Sequence, residues 1–475
     1  MPKLSQDAYD AVIIGAGIGG LVCGCYLAKA GMKVLIAEQH YKPGGYCTSF
    51  TRKGFTFDAA AHSFGGYEYG NTGKILKELK IDQKIKITRI DPSDVVITPD
   101  YQVSFWNNLD RTIREFQTVF PKEGHNIKDF FHHISGAELN LLMSMRSKTF
   151  KDLLDKYFGD EKLKAILSFP LFGSGGLPHS RLSAFIGTKI FQEFILDGGY
   201  YPEGGIQAFS DSLAETFQEL GGELRFSCFV KKIKVRNGSA TGIELKNGDL
   251  LPAKYVISNC DARQTFFNLL GRDVIDSDLR VKLRKMIPSL SGFILYMATK
   301  EDSVNVSHRG SNVWYLFDYD IDKLYNSVRM SDFNSIKGFV LHAYPDKQRI
   351  FAFMNAPFKS KNFWGINKAR ISSAFLSIIE SRAIPELSRH LIYSEAATPH
   401  TLHRYTLNYK GAAFGWAATP SQLADPDFKK PSFLRNLYLT GHWTTHGLGI
   451  PGVVYIGHDV AASILRRKRE IKNAN

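Results

Sequence analysis

Three glycines at positions 15, 17 and 20, within Gly15-Ala16-Gly17-Ile18-Gly19-Gly20, and an acidic residue at Glu38 form the grouping best able to do chemistry in this 475-residue chain. The G-x-G-x-x-G spacing suits a turn that receives a pyrophosphate. Gly15 allows the tight bend, Gly17 lets the backbone approach the phosphates, and Gly20 lets the next helix pack close to the preceding strand. A helix starting there directs unpaired N–H groups and the positive end of its dipole at the phosphates. Glu38, 18 residues beyond Gly20, is placed to accept both hydroxyls of an adenosine ribose, and its charge disfavours a 2′-phosphate. No metal site is expected. The 14 histidines show no H-E-x-x-H spacing, and the five cysteines (Cys23, Cys25, Cys47, Cys228 and Cys260) include no C-x-x-C pair. An odd count without pairs also argues against a disulfide framework and for a reducing, cytoplasmic setting.

The elements needed to position these residues are legible in the same stretch. Residues 11–14 read as a buried strand, 20–30 as a helix stopped by Gly31, and 33–38 as a second strand. Together they make a βαβ unit whose strands neighbour each other in a parallel sheet. Residues 11–28 are uncharged and long enough to raise a membrane span, but their glycines match the turn instead. Asp7 and Asp10 precede this apolar run, which does not suit a secretory signal. Residues 46–58 look like a hairpin, and 67–199 carry helical periodicity. An amphipathic helix is expected over 207–220. Short β segments at 223–227, 230–235, 240–245 and 253–258, with Asn237-Gly238 and Asn247-Gly248 turns, read as a β-meander packed beside the first sheet. Further strands are expected at 292–299, 313–317 and 350–355, and a helix at 368–381. The last strand ends at Gly441 before a helix that reaches Arg467.

Composition is that of a globular protein, with 44% hydrophobic and 22% charged residues. The 34 Phe and 21 Tyr suit an apolar ligand. With 60 Lys+Arg against 46 Asp+Glu the net charge is +14, which favours anionic partners. Nucleic acid is not expected, since no recognition motif is present. Residues 73–90 interleave Lys and Arg with Ile and Leu, a pattern suited to lying on an anionic membrane surface. The basic cluster 466–469 closes the last helix, where positive charge complements the dipole.

After Glu38-Gln39 the chain does not continue as alternating strands and helices but runs into Gly44-Gly45-Tyr46 and the hairpin. Here it resembles the two-dinucleotide-binding-domain flavoproteins, whose motif continues past the acidic residue to a Gly-Gly pair near the phosphates. That resemblance implies FAD as cofactor, with Val230 at the family position whose backbone meets the adenine. The segment Leu437-Tyr-Leu-Thr-Gly-His-Trp-Thr-Thr-His-Gly-Leu-Gly-Ile-Pro-Gly-Val453 is similar to the closing motif of the phytoene desaturase family, which includes carotenoid isomerases and retinol saturases. In that family the glycine at Gly441, followed here by His442, lies by the ribityl and phosphate groups. The step Ile450-Pro451-Gly452-Val453 starts a helix aimed at the flavin ring. Pro suits a helix start, and the helix N-terminus would stabilise negative charge on the reduced flavin. Segments 199–208 and 404–416 extend the likeness over nearly the whole chain.

The resemblance implies an α/β flavoprotein fold in two interleaved parts. An FAD-binding domain would comprise 1–66, 200–288 and 406–475, and an α+β substrate domain 67–199 and 289–405. It also implies an FAD-dependent oxidoreductase that desaturates, saturates or isomerises carbon–carbon bonds of a long polyene or isoprenoid, or of another lipid. An isomerase of this kind uses reduced flavin with no net redox change. His62 and His446 match family segments near the flavin, where a structural role is as open as a catalytic one. Glu203 is a candidate acid near the ring or a turn cap. Two other readings share the fold. A flavin amine oxidase usually carries Arg directly after the Gly-Gly pair, where this chain has Tyr46. A prenyl-lipid binding protein would not keep an intact fingerprint. Oxygen, a quinone or a partner reductase could each accept the electrons.

Overall fold

The computed structural model describes residues 8–300, 303–423, 428, 431, 433–444 and 448–474. The strand Tyr9–Ile14, the helix Ile18–Lys29 and the strand Val34–Ala37 form the expected βαβ unit, with the two strands parallel neighbours. Residues 18–25 of the helix are all buried, because it is packed against the helices Ile206–Glu219 and Gly449–Ala474. The long uncharged run is therefore strand, turn and core helix. Among the described residues no helix is long and apolar enough to cross a membrane.

The meander differs from expectation in one respect: it is not a separate layer. Its last strand, Leu250–Ser258, pairs antiparallel with Ser239–Leu245 through its first residues. From Ala253 onward it pairs in parallel with Tyr9–Ile14, and its final residues also take Leu437–Leu439. Nine residues reach about 30 Å, enough for one strand to serve both neighbours in turn. One sheet results, in the order Val230–Arg236, Ser239–Leu245, Leu250–Ser258, Tyr9–Ile14, Val34–Ala37 and Glu223–Arg225, with Leu437–Leu439 added on Leu250–Ser258.

A second seven-stranded sheet runs Leu391–Ala397, Ser291–Thr299, Arg349–Ala356, Gly338–Ala343, Asn312–Leu316, Asp94–Ile97 and Gln102–Phe105. All neighbours are antiparallel except Asn312–Leu316 with Asp94–Ile97. Its register puts Asp94, Asn312, His342, Phe351, Tyr296 and Glu395 side by side in one row across six strands. Two residues along, Val96, Trp314, Val340, Phe353, Ile294 and Ala397 form the next row. The period of two places both rows on one face. The intervening residues Val95, Val313, Leu341, Ala352, Leu295 and Ala396 share a core with Trp364, Ile371, Phe375 and Ile379 of the helix Lys361–Arg382. Each of the buried Val, Leu, Ile and Phe side chains among them contributes about 1.5–3 kcal/mol, so the register is fixed from behind and the front face is free for other use.

The segment 73–90 corrects its expectation. Ile75, Leu76, Leu79 and Ile81 are core residues packed with the helices Ile18–Lys29 and Gly449–Ala474. Lys84, Lys86 and Arg89 pair with Glu219, Glu203 and Glu68. Its apolar side docks it onto the fold, leaving no apolar face for a membrane. An exposed apolar turn occurs elsewhere, at Leu139, Leu141 and Met143 of the helix Leu139–Ser144.

Candidate functional site

A cleft of about 330 Å³ runs from the glycine turn to the front face of the second sheet. At its first end Gly15 has φ of +98°, a conformation that favours glycine. A Cβ on Gly20 would lie 2.3 Å from the Gly15 carbonyl oxygen, so turn and helix touch as the motif requires. Gly17 caps the helix without a side-chain acceptor, which leaves first-turn N–H groups for an anion. Gly15, Gly17 and Gly19 line the cleft, while Ala16 and Gly20 stand behind it.

Glu38 closes this end. One carboxylate oxygen accepts the Ala16 N–H at 2.7 Å and the other the His40 N–H at 2.8 Å. Burial pushes the carboxyl up, opposed by these donors. Its remaining lone pairs suffice for two ribose hydroxyls. Gln39 and Val230 line the cleft too, as do Gly44, Gly45 and Tyr46; Gly44 lies against the glycine turn, its N–H donating to the Ala16 carbonyl at 2.9 Å. The Tyr46 hydroxyl donates to the Ala412 carbonyl at 3.0 Å.

Sequence reasoning missed Asn259. It follows the strand Leu250–Ser258 at its carboxyl end, where α/β sheets bind ligands, and that position was the available signal. Its amide donates to the Gly15 carbonyl at 3.3 Å. A Cβ on Gly17 would come within 2.8 Å of the same nitrogen, and one on Gly441 within 2.6 Å of its Oδ1. The glycines thus close around one amide. Asp261, also missed, accepts the N–H groups of Gln264 at 2.8 Å and Tyr409 at 2.7 Å. Burial pushes its carboxyl up to about 6.

Further along, Gly441, His442, Ile450 and Val453 line the cleft. Burial lowers His442 to about 4, so its ring is neutral at pH 7. Pro451 and Gly452 occupy the first turn of the helix Gly449–Ala474, where the missing proline N–H was unpaired in any case. His62 also lines the cleft. Its ring lies 4.5 Å from Phe351 and 5.2 Å from His342, against the polar row of the sheet, and burial lowers its pKa.

Glu203 is a correction. Its side chain is 72% exposed and pairs with Lys86 at 3.9 Å, while its own N–H donates to the Lys86 carbonyl at 2.8 Å. The turn holds it at the surface and away from the cleft. His446 lies outside the described residues.

The far wall consists of Asp94, Asn312, Trp314, Val340, Phe353 and Ile294, all from the two front rows. Sequence reading identified several of these strands without their face. Beyond Gly173, Trp314, Val340 and Phe353, which line both spaces, lies a second, smaller hollow of about 30 Å³. The arrangement provides pyrophosphate donors, a ribose acceptor, a helix start beside a ring-sized space, and a largely apolar wall facing it. A flavin dinucleotide fits this set of donors and acceptors.

The family model "Flavin containing amine oxidoreductase" matches residues 18–465. Among curated proteins, the chain is 26% identical to a phytoene desaturase (neurosporene-forming) of Rhodobacter capsulatus, covering 98% of this chain and 95% of that one. It is 25% identical to the chloroplastic prolycopene isomerase of Daucus carota, over 98% and 82% of the two chains. It is also 25% identical to the all-trans-retinol 13,14-reductase of Rattus norvegicus, over 92% and 82%. Among solved structures, an oxidoreductase from Methanosarcina mazei matches with a TM-score of 0.67 at 20% identity, over 95% and 99% of the chains. A putrescine oxidase bound to putrescine matches with a TM-score of 0.65 at 16% identity, over 97% and 99%.

Proposed function

The chain belongs to the flavin containing amine oxidoreductase family and its cofactor is FAD, and from that premise we propose that it desaturates, saturates or isomerises carbon–carbon bonds of a long apolar isoprenoid or similar lipid. The observation that carries this reading is the wall facing the flavin end of the cleft. Its apolar part is Trp314, Val340, Phe353 and Ile294, which offer contact area to an extended chain beside the polar pair Asp94 and Asn312. The phytoene desaturase, prolycopene isomerase and retinol reductase relatives support it.

In this reading Gly15, Gly17 and Gly19 meet the pyrophosphate with Ala16 and Gly20 shaping the turn from behind, Glu38 and Gln39 hold the ribose, and Val230 the adenine. Gly44, Gly45, Tyr46, Gly441 and His442 line the path to the ring, and Pro451, Gly452 and Val453 present a helix start to it. The chain divides into a cofactor part (1–66, 200–288 and 406–475) and a substrate part (67–199 and 289–405). When bound, FAD supplies hydride transfer at N5. The protein's contribution is to lay a C–H or C=C bond across that position and exclude water. The neutral ring of His62 covers the polar row beside it. An amine oxidase is less well supported: Tyr46 stands after the Gly-Gly pair, its hydroxyl occupied by the Ala412 carbonyl.

The test is to purify the protein, record its visible spectrum, and mix the oxidised and the reduced forms anaerobically with polyenes, fatty acids and amines. Bleaching or reoxidation by a polyene is expected, or a shift in its isomer composition. Bleaching by putrescine or cyclohexylamine alone would replace the reading with amine oxidation. A colourless protein that refuses FAD would replace it with lipid shielding.

A membrane-dissolved substrate implies peripheral docking, and the exposed Leu139, Leu141 and Met143, followed by Lys148, are the proposed contact. Flotation with phosphatidylglycerol vesicles at low salt is expected to carry the protein upward. Leu139→Glu with Leu141→Glu should leave at least half of it at the bottom. Equal flotation of the variant would move the contact elsewhere.

A further inference from the structure

Resting on the reading of the cleft as a flavin and isoprenoid site, we infer that Asp94 and Asn312 form a hydrogen-bonding subsite that holds a hydroxyl group of the substrate. The two residues are register partners on adjacent parallel strands and both line the cleft. Asp94 is 1% exposed. Its Oδ1 accepts twice, from the Trp314 indole N–H at 2.7 Å and from the Asn312 amide at 3.2 Å. The Asn312 amide nitrogen also reaches the Ser63 hydroxyl at 3.4 Å. The second oxygen of Asp94 and the amide oxygen of Asn312 are both buried and make no hydrogen bond.

Two orphaned oxygens on neighbouring side chains are unusual, because each buried unsatisfied polar atom costs about 1–3 kcal/mol. On the cleft side they are flanked by Phe194, Ile195, Val340 and Phe353, which offer no side-chain donor, with the Ser63 hydroxyl and the His62 ring beside Asn312. A ligand hydroxyl satisfies both atoms at once, since it donates and accepts. It donates to the Asn312 oxygen and accepts the proton of the Asp94 carboxyl. Burial pushes that carboxyl up to about 6, so the protonated form this pairing uses dominates below that pH. Below about pH 6 a hydroxyl paired with the carboxylic acid leaves the site neutral, whereas an ammonium would need the carboxylate ionised in apolar surroundings. Trp314 both donates to Asp94 and forms the apolar wall next to it, so head group and chain are sensed by connected side chains.

The test compares geranylgeraniol, its methyl ether and geranylgeranylamine, binding to the holoprotein. Binding is read by flavin-band perturbation and by intrinsic tryptophan fluorescence. The alcohol is expected to bind about tenfold tighter than the ether, which keeps the chain and loses the O–H donor. Asn312→Leu, close in volume, and Asp94→Val should each bring that ratio near one without changing FAD content. Equal binding of alcohol and ether by the wild type would overturn the inference, as would an unchanged ratio in both variants. An amine that binds tighter than the alcohol would overturn the hydroxyl assignment in favour of a cation. If a variant fails to fold, the wild-type ratio still decides. A protein without flavin would sink the reading of the cleft, while the fluorescence comparison would still test the subsite.

Discussion

Replacing Gly17 with valine is expected to give a folded, colourless protein. Gly17 lies where the first-turn N–H groups of the helix Ile18–Lys29 open onto the cleft. A Cβ there would stand 2.8 Å from the Asn259 amide nitrogen, and the two γ-methyls of valine would extend into the space a pyrophosphate needs. Asn259 can yield, since its end is a side chain. The phosphates cannot, because their position is set by fixed backbone donors. The expected loss in FAD affinity is at least about 100-fold. FAD present at 100 times Kd stabilises the wild type by about 2.7 kcal/mol, so the variant should melt like apo wild type and gain nothing from added FAD. Far-ultraviolet circular dichroism separates this from misfolding. A variant that purifies yellow with an unshifted flavin spectrum would remove the glycine turn from the cofactor site.

The cofactor end was legible because its chemistry is local in sequence. Gly15, Gly17, Gly20 and Glu38 fall within one βαβ unit, so spacing alone fixed their relation in space. Asn259 escaped because it belongs to the site only through the pairing of Leu250–Ser258 with Tyr9–Ile14, an encounter across more than 240 positions. The fusion of meander and parallel sheet escaped for the same reason, since a strand's length in sequence does not state how many partners share it.

The substrate end was legible as elements but not as a surface. Segments 292–299, 313–317 and 350–355 read as strands, yet in buried strands both faces are apolar and alternation no longer tells front from back. Asp94 and Asn312 stand at the starts of their strands, where polar residues are ordinary. Only the register joins them with His342 and Phe351 into one row. Residues 73–90 failed in the opposite direction. Their amphipathic pattern was real, but one apolar face serves a membrane or a protein core equally well, and here the helices Ile18–Lys29 and Gly449–Ala474 cover it.

Gly173→Leu should separate cofactor binding from substrate length. Gly173 lies in the helix Glu161–Gly175, against the indole of Trp314, where a Cβ would come within 2.1 Å of the six-membered ring. The indole is 5% exposed and held by its bond to Asp94, so a leucine must displace it or push the helix away. Overpacking of this kind costs about 1–3 kcal/mol of stability, which a chain with cores this large should survive. Gly173, Trp314, Val340 and Phe353 line both the main cleft and the smaller hollow behind it. Displacing the indole therefore narrows the passage at one point and leaves the glycine turn untouched. FAD content and the flavin spectrum should match the wild type. A short isoprenoid without a hydroxyl, such as myrcene, should bind as before, because it neither passes the constriction nor uses the Asp94–Asn312 pair. A C40 polyene should lose about 100-fold or more in kcat/KM, the scale expected when a reacting bond is held about 1 Å out of place. If long and short chains fell equally, the constriction would not lie on the substrate's path. If neither changed, the cavity wall at Trp314 would not contact substrate at all, and the chain would have to run along another part of the lining, such as Leu402 and Tyr405.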